Sequence, residues 1–179
     1  MKKAVLVLFF FVGISFTYAQ GQTQEWAVGL RLGDPSGVNF RRYFGSGDAL
    51  DINVGSSGYY YNRGRRYRDR YYEYGGVTLQ VNYVWQKDIY SVDGLQWYYG
   101  LGGQLGSRRY YDYEFYTNNR RIGGYTRSIA LGATGVIGAE YFIPDTPISI
   151  FADAALYMEV IPLPFWLSVP IGIGGRFNF

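Results

Sequence analysis

The chain has neither cysteine nor histidine in its 179 residues. Without cysteine there is no disulfide scaffold, no thiol nucleophile and no cysteine for a lipoprotein anchor. Without histidine the commonest general base, and the usual activator of a serine nucleophile, is missing. A serine or carboxylate could still be served by a lysine, but lysine is confined to Lys2, Lys3 and Lys87. Lys87 falls in a polar turn at 87–94, away from any cluster. The expectation is a protein that is not an enzyme and that uses no cofactor and no metal. After residue 16 there is also no apolar run approaching the ~20 residues of a membrane-spanning helix. The scarcity of lysine counts against an ordinary soluble β-protein too, because water-facing sheets and their edges are normally protected by charged side chains.

What is present begins with Lys2 and Lys3, an apolar run over 4–16, and Thr17-Tyr18-Ala19 before Gln20. That order of basic, apolar and small residues describes an export signal cleaved after Ala19, so 1–19 is expected to be a signal peptide and 20–179 a single domain. Removing two lysines and no acids takes the formal charge from +3 to +1. Such a balance, in an exported chain, gives no reason to expect a nucleic-acid partner.

The remaining chain contains most of the 20 tyrosines and 25 glycines and alternates with a period of two, the signature of strands. Trp26, Val28, Leu30 and Leu32 alternate with Ala27, Gly29 and Arg31. Asp34-Pro35-Ser36-Gly37 suits a type I turn. A second strand is expected over 38–44, the least regular, because Arg41 and Arg42 are adjacent and one must face outward. After a turn at 45–48, Leu50, Ile52 and Val54 oppose Asp51 and Asn53. Val77 to Trp85, Leu95 to Leu105, Ile129 to Ile143 and Ile148 to Val160 supply four more alternating runs. The last runs from Leu167 through Val169, Ile171, Ile173 and Phe177 to Phe179, with Pro170 marking a late start or a bulge.

Eight such segments of about ten residues, separated by turns, describe an all-β, eight-stranded antiparallel up-and-down barrel that crosses a membrane. A soluble barrel with an apolar interior is the competing arrangement. The composition of the two faces decides between them. One is aliphatic, with Trp85, Trp97, Tyr83 and Tyr141 near strand ends; the other is glycine, alanine, serine and amides with isolated charges. Only small polar side chains suit the inside of so narrow a barrel, while the aliphatic face and its aromatic girdle suit lipid. With the first strand running outward, the short connections fall on the periplasmic side and the long ones, 57–76 and 107–127, fall outside.

With those segments and an aromatic residue at Phe179, the chain resembles the small eight-stranded outer-membrane barrels related to outer-membrane proteins A, W and X, and is similar to barrels of this size from Bacteroidota. The resemblance implies insertion into the cell outer membrane by the barrel-assembly machinery, with Phe177 and Phe179 as the assembly signal, and contact with outer-membrane lipid and lipopolysaccharide. It carries no catalytic or ligand motif.

Two sets of residues invite function. The inner face would carry Arg31, Arg41, Asp51, Glu140, Asp153, Glu159 and Arg176. Isolated charges in a narrow lumen need partners, so Arg176 is expected to pair with an inward carboxylate. The outer connections carry Arg63, Arg65, Arg66, Arg68 and Arg70, then Arg108, Arg109, Arg120, Arg121 and Arg127, interleaved with tyrosine. Five arginines against two acids give each connection +3. Arginine forks grip phosphate bidentately, so these are candidate sites for lipopolysaccharide or another anionic glycan; equally, they read as hairpin extensions above the membrane, tyrosine-rich for β-propensity and arginine-rich for solubility. The expectation is a structural or surface-binding barrel. A narrow pore, separable by its conductance, and an accessory subunit of a larger outer-membrane complex are the alternatives.

Overall fold

A computed structural model describes residues 24–179 except 58–65, 68–69, 90, 113–115, 118–119, 122–123 and 163; side chains are described outside 58–75 and 108–126. The expected signal peptide lies outside the described residues. The strand segments are β1 (Trp26–Gly33), β2 (Ser36–Phe44), β3 (Asp48–Ser56), β4 (Arg66–Tyr67), β5 (Arg70–Asp88), β6 (Leu95–Asp112), β7 (Tyr116–Thr117), β8 (Arg120–Arg121), β9 (Gly124–Phe142), β10 (Ile148–Ile161), β11 (Trp166–Ser168) and β12 (Ile171–Asn178). Among the described residues, β1, β2, β3, β5, β6, β9, β10 and β12 pair antiparallel in that order. The ring closes because β12 pairs back onto β1, placing Val28 opposite both Phe40 and Phe177. No open edge remains around the barrel wall, which is what a sheet needs where water cannot satisfy its backbone.

Period-two patterning decides which side each residue faces. Leu30, Leu32, Leu101, Ile129, Ile137 and Ile173 point outward and are between 57% and 68% exposed. Arg31, Asn39, Arg41, Gln80, Thr134, Glu140 and Arg176 point inward and are buried. That polarity is the reverse of a soluble protein's, and it makes the outer wall a lipid-compatible surface. Of the adjacent arginines, Arg41 faces in, directly across from Asp51, while Arg42 faces out.

The staves differ greatly in length. β5 and β9 have 19 residues each and β6 has 18, against 8 for β1 and β12 and 9 for β2 and β3. Pairing of β3 with β5 stops at Val77, so the residues from Arg70 to Gly76 rise beyond the barrel wall, about 23 Å at roughly 3.3 Å per residue. Where they are described, the Tyr/Arg-rich stretches continue as tall hairpin walls, the extension reading of the two that their composition allowed. Tyrosine's fit to a pleated surface explains the continuation.

Two other boundaries shift. β2 starts at Ser36, not 38, because the Ser36 hydroxyl and Gly33 close the turn: Gly33 N–H donates to Ser36 Oγ at 3.0 Å and Ser36 Oγ donates to the Gly33 carbonyl. The turn itself is then only Asp34-Pro35. At the other end of the chain the closing strand is interrupted at Val169-Pro170, with β11 before and β12 after. The Pro170 carbonyl still accepts from Ala155 N–H at 2.8 Å.

Candidate functional site

Inside the barrel the charges form two layers. The lower layer lies near the turn end. Arg41 Nε donates to Asp51 Oδ2 at 2.8 Å, a cross-strand pair of β2 and β3. Its Nη1 reaches Glu140 Oε2 on β9 at 2.6 Å. In the eight-stave order β9 stands diametrically opposite β2, so this contact spans the bore. Arg176 on β12 uses the same two acceptors, with Nη1 on Glu140 Oε1 at 2.7 Å and Nη2 on Asp51 Oδ2 at 2.9 Å. The side chains of both arginines and of Glu140 are 0% exposed.

Neutral polar groups complete the layer. Ser149 Oγ donates to Glu140 Oε1 at 2.7 Å and Tyr43 OH donates to it at 3.0 Å. Gln86 Nε2 donates to Glu140 Oε2 at 3.2 Å. Asn39 Nδ2 donates to Asp51 Oδ1 at 2.9 Å, and its Oδ1 accepts from Arg176 Nε. Bonding of this density is what allows ions to remain in a low-dielectric space, and among the atoms of these ions only Arg41 Nη2 is buried with no hydrogen-bond partner.

The upper layer is the Arg31–Asp153 pair. Arg31 Nη1 donates to Asp153 Oδ1 at 2.7 Å, while Nε and Nη2 donate to the Pro35 and Asp34 carbonyls at 3.1 and 3.2 Å. Arg31 is on β1 and Asp153 on β10, so the guanidinium must cross β12 between them. It does so over Gly172, where an added Cβ would stand 2.3 Å from Arg31 Cζ. Tyr98 joins the layers, its hydroxyl donating to Asp153 Oδ2 at 3.1 Å and its ring lying 4.3 Å from Arg41 Cζ. Arg176 packs likewise on Phe151 at 3.6 Å.

Three guanidiniums thus face three carboxylates in these bridges, leaving the two layers neutral. Ala49, Val84, Tyr98, Val136 and Ala155 fill the lumen beside them. Among the described residues, two cavities along the bore measure ≈ 20 Å³ near Gln104 and Thr78 and ≈ 10 Å³ between Arg31 and Gln80. Each has room for about one water molecule.

Of the charges singled out from the sequence, Arg41, Asp51, Glu140 and Arg176 meet in one layer and Arg31 and Asp153 in the other. Glu159 is buried ten residues beyond Ser149 on β10, toward the tall end. Asn39, Tyr43, Gln86, Tyr98 and Ser149 had not been singled out; their inward parity was the only available signal. Arg63, Arg65, Arg66, Arg68, Arg70, Arg108, Arg109, Arg120 and Arg121 have side chains outside the described residues. Arg127 is exposed on β9. Phe177 and Phe179 face outward with ring centroids 6.4 Å apart, and Phe179 N–H donates to the Trp26 carbonyl at 2.8 Å.

No protein-family model and no curated protein matches the chain. Among solved structures, the N-terminal β-barrel domain of Pseudomonas aeruginosa OprF is similar in fold, with a TM-score of 0.58 and 12% identity. That match covers 86% of this chain and 95% of the other. Neisserial surface protein A gives a TM-score of 0.47 at 11% identity, with 86% and 93% covered. The architecture, an all-β closed antiparallel barrel of eight staves, is that of the OprF domain.

Proposed function

We propose that this chain is a non-enzymatic protein of the bacterial outer membrane, a plugged barrel that holds its tall β5–β6–β9 wall outside the cell as a binding surface. The observation that carries the reading is the reversed polarity: an aliphatic exterior around a polar interior whose charges satisfy one another. An exterior of this kind is stable only against lipid. An interior with cavities the size of single waters favours a structural barrel over a pore.

Orientation follows from length. The end with the short connections at 45–47, 89–94 and 143–147 lies in the periplasm, and the tall hairpins project outward. The outward hairpins gather the two +3 stretches at one pole, and all ten of their cations are arginine. Arginine forks with interleaved tyrosines suit the phosphates and sugars of lipopolysaccharide.

The test is to replace Arg63, Arg65, Arg66, Arg68 and Arg70 with glutamine and to measure binding to immobilised lipopolysaccharide over a range of salt. The wild type is expected to bind more tightly and to lose affinity more steeply with salt, since exposed charges are screened beyond about 8 Å at physiological ionic strength. Equal affinity and equal salt dependence in the two proteins would remove the surface-binding role.

A further inference from the structure

The outer wall carries a charged feature at the turn end that neither the lumen nor the tall hairpins explain. Arg42 faces outward, with Cζ 4.9 Å from the Trp26 ring and 5.5 Å from the Phe44 ring. Its guanidinium makes no hydrogen bond or ion pair to a described residue. A contiguous belt of rings continues from it: Phe44 to Tyr83 at 6.2 Å, Tyr83 to Trp85 at 5.4 Å and Trp85 to Tyr99 at 5.5 Å. Such belts mark the depth of lipid headgroups. A guanidinium at this depth snorkels toward the interface, where it can meet an anion of the membrane itself. At that depth the anion is a phosphodiester.

A side-chain carboxylate stands diagonally from this position. Asp48 faces outward on β3, opposite Phe44, and Arg42 lies two residues further up β2. Arg42 and Asp48 are thus diagonal neighbours, about 7–8 Å apart at their backbones by sheet geometry. Asp48 Oδ2 accepts from Tyr83 OH at 2.8 Å and from Ser46 Oγ at 3.2 Å, and neither bond uses Oδ1. The cation is the deeper of the two and the carboxylate is nearer the turn, hence nearer water. A phosphoethanolamine headgroup has the same order of charges: phosphate at the glycerol side, ammonium outside it.

We infer that Arg42 and Asp48 form a site on the outer wall for the headgroup of an ethanolamine glycerophospholipid of the inner leaflet, with the phosphate on Arg42 and the ammonium on Asp48. The choline headgroup offers no N–H to Asp48, and a glycerol headgroup offers no cation, so the pair discriminates among headgroups that share one phosphate. Trp26 flanks the phosphate position. The inference rests on the barrel's being in a bilayer with its turn end in the periplasm.

The test uses the full mature chain folded into choline-lipid vesicles, with folding scored first by heat-modifiable migration. Each vesicle carries the same fraction of one bromine-labelled lipid, of ethanolamine, choline or glycerol headgroup, and tryptophan quenching reports its local enrichment; Trp26, Trp85 and Trp97 all lie at this end. The ethanolamine lipid is expected to be enriched about two- to fivefold over the choline lipid, the factor that one surface ion pair supplies. Asp48→Asn should abolish that preference and Arg42→Gln should lower enrichment further, while Arg42→Lys should keep part of it. Equal quenching by all three lipids in the folded wild type, or a preference that survives Asp48→Asn, overturns the site. Failure of the wild type to fold into vesicles overturns the membrane reading and this inference with it.

Discussion

Replacing Glu140 with glutamine is expected to destabilise the folded barrel by about 3–5 kcal/mol, the usual cost of breaking a buried pair and orphaning its charge. Among the described residues Glu140 and Asp51 are the two acceptors that Arg41 and Arg176 share, and the side chains of Glu140, Arg41 and Arg176 are all fully buried. Glutamine keeps the volume and removes the charge, so two guanidiniums would be left with the single carboxylate of Asp51. Adding Arg176→Met restores the balance to one arginine and one aspartate, and methionine can pack on Phe151 where the guanidinium lay. The double variant should therefore be more stable than Glu140→Gln alone. Denaturant unfolding in lipid vesicles reads both. Additive losses, or a single variant as stable as wild type, would show that the layer does not hold the staves together.

The second large effect concerns the opposite face. Ile137 is 57% exposed near the middle of β9's outward row, four residues above Tyr141. On a soluble barrel Ile137→Arg would be neutral or helpful, since a surface charge costs little there. On a lipid-facing wall it is expected to cost about 2–4 kcal/mol, because arginine near the bilayer midplane is desolvated. Comparison with Ile137→Leu separates the charge from the change of shape. A variant that unfolds at the wild-type denaturant concentration would contradict the reversed polarity on which the functional reading depends.

The face assignments were legible because a strand's side chains alternate strictly, so Leu30 and Arg31 had to part company. Of the adjacent pair Arg41 and Arg42, the sequence already put Arg41 on the inner face, but did not identify its partner. That Asp51 stands directly opposite Arg41 requires knowing the β2–β3 register. The spanning contact from Arg41 to Glu140 was beyond reach of the sequence: residues 99 apart become partners only because closure sets β2 and β9 across the bore. The neutral acceptors and donors, Asn39, Tyr43 and Ser149 among them, resemble any other inward polar residue until that geometry is fixed. Strand length was left open for a different reason. Tyrosine, arginine and glycine together resemble a connection, yet β5, β6 and β9 continue through them because each finds a paired neighbour there.

Because the chain has no cysteine, a single thiol can be introduced at Leu30, Leu101, Ile137 or Ile173 without background labelling. These positions lie on β1, β6, β9 and β12, around the circumference of the wall. With an environment-sensitive dye on each thiol, the folded protein in vesicles should give blue-shifted emission at every position. Quenching should be strong with nitroxides on the lipid acyl chains and weak with aqueous iodide. Dyes that instead report water and are quenched by iodide would contradict a barrel whose outer wall is solvated by lipid.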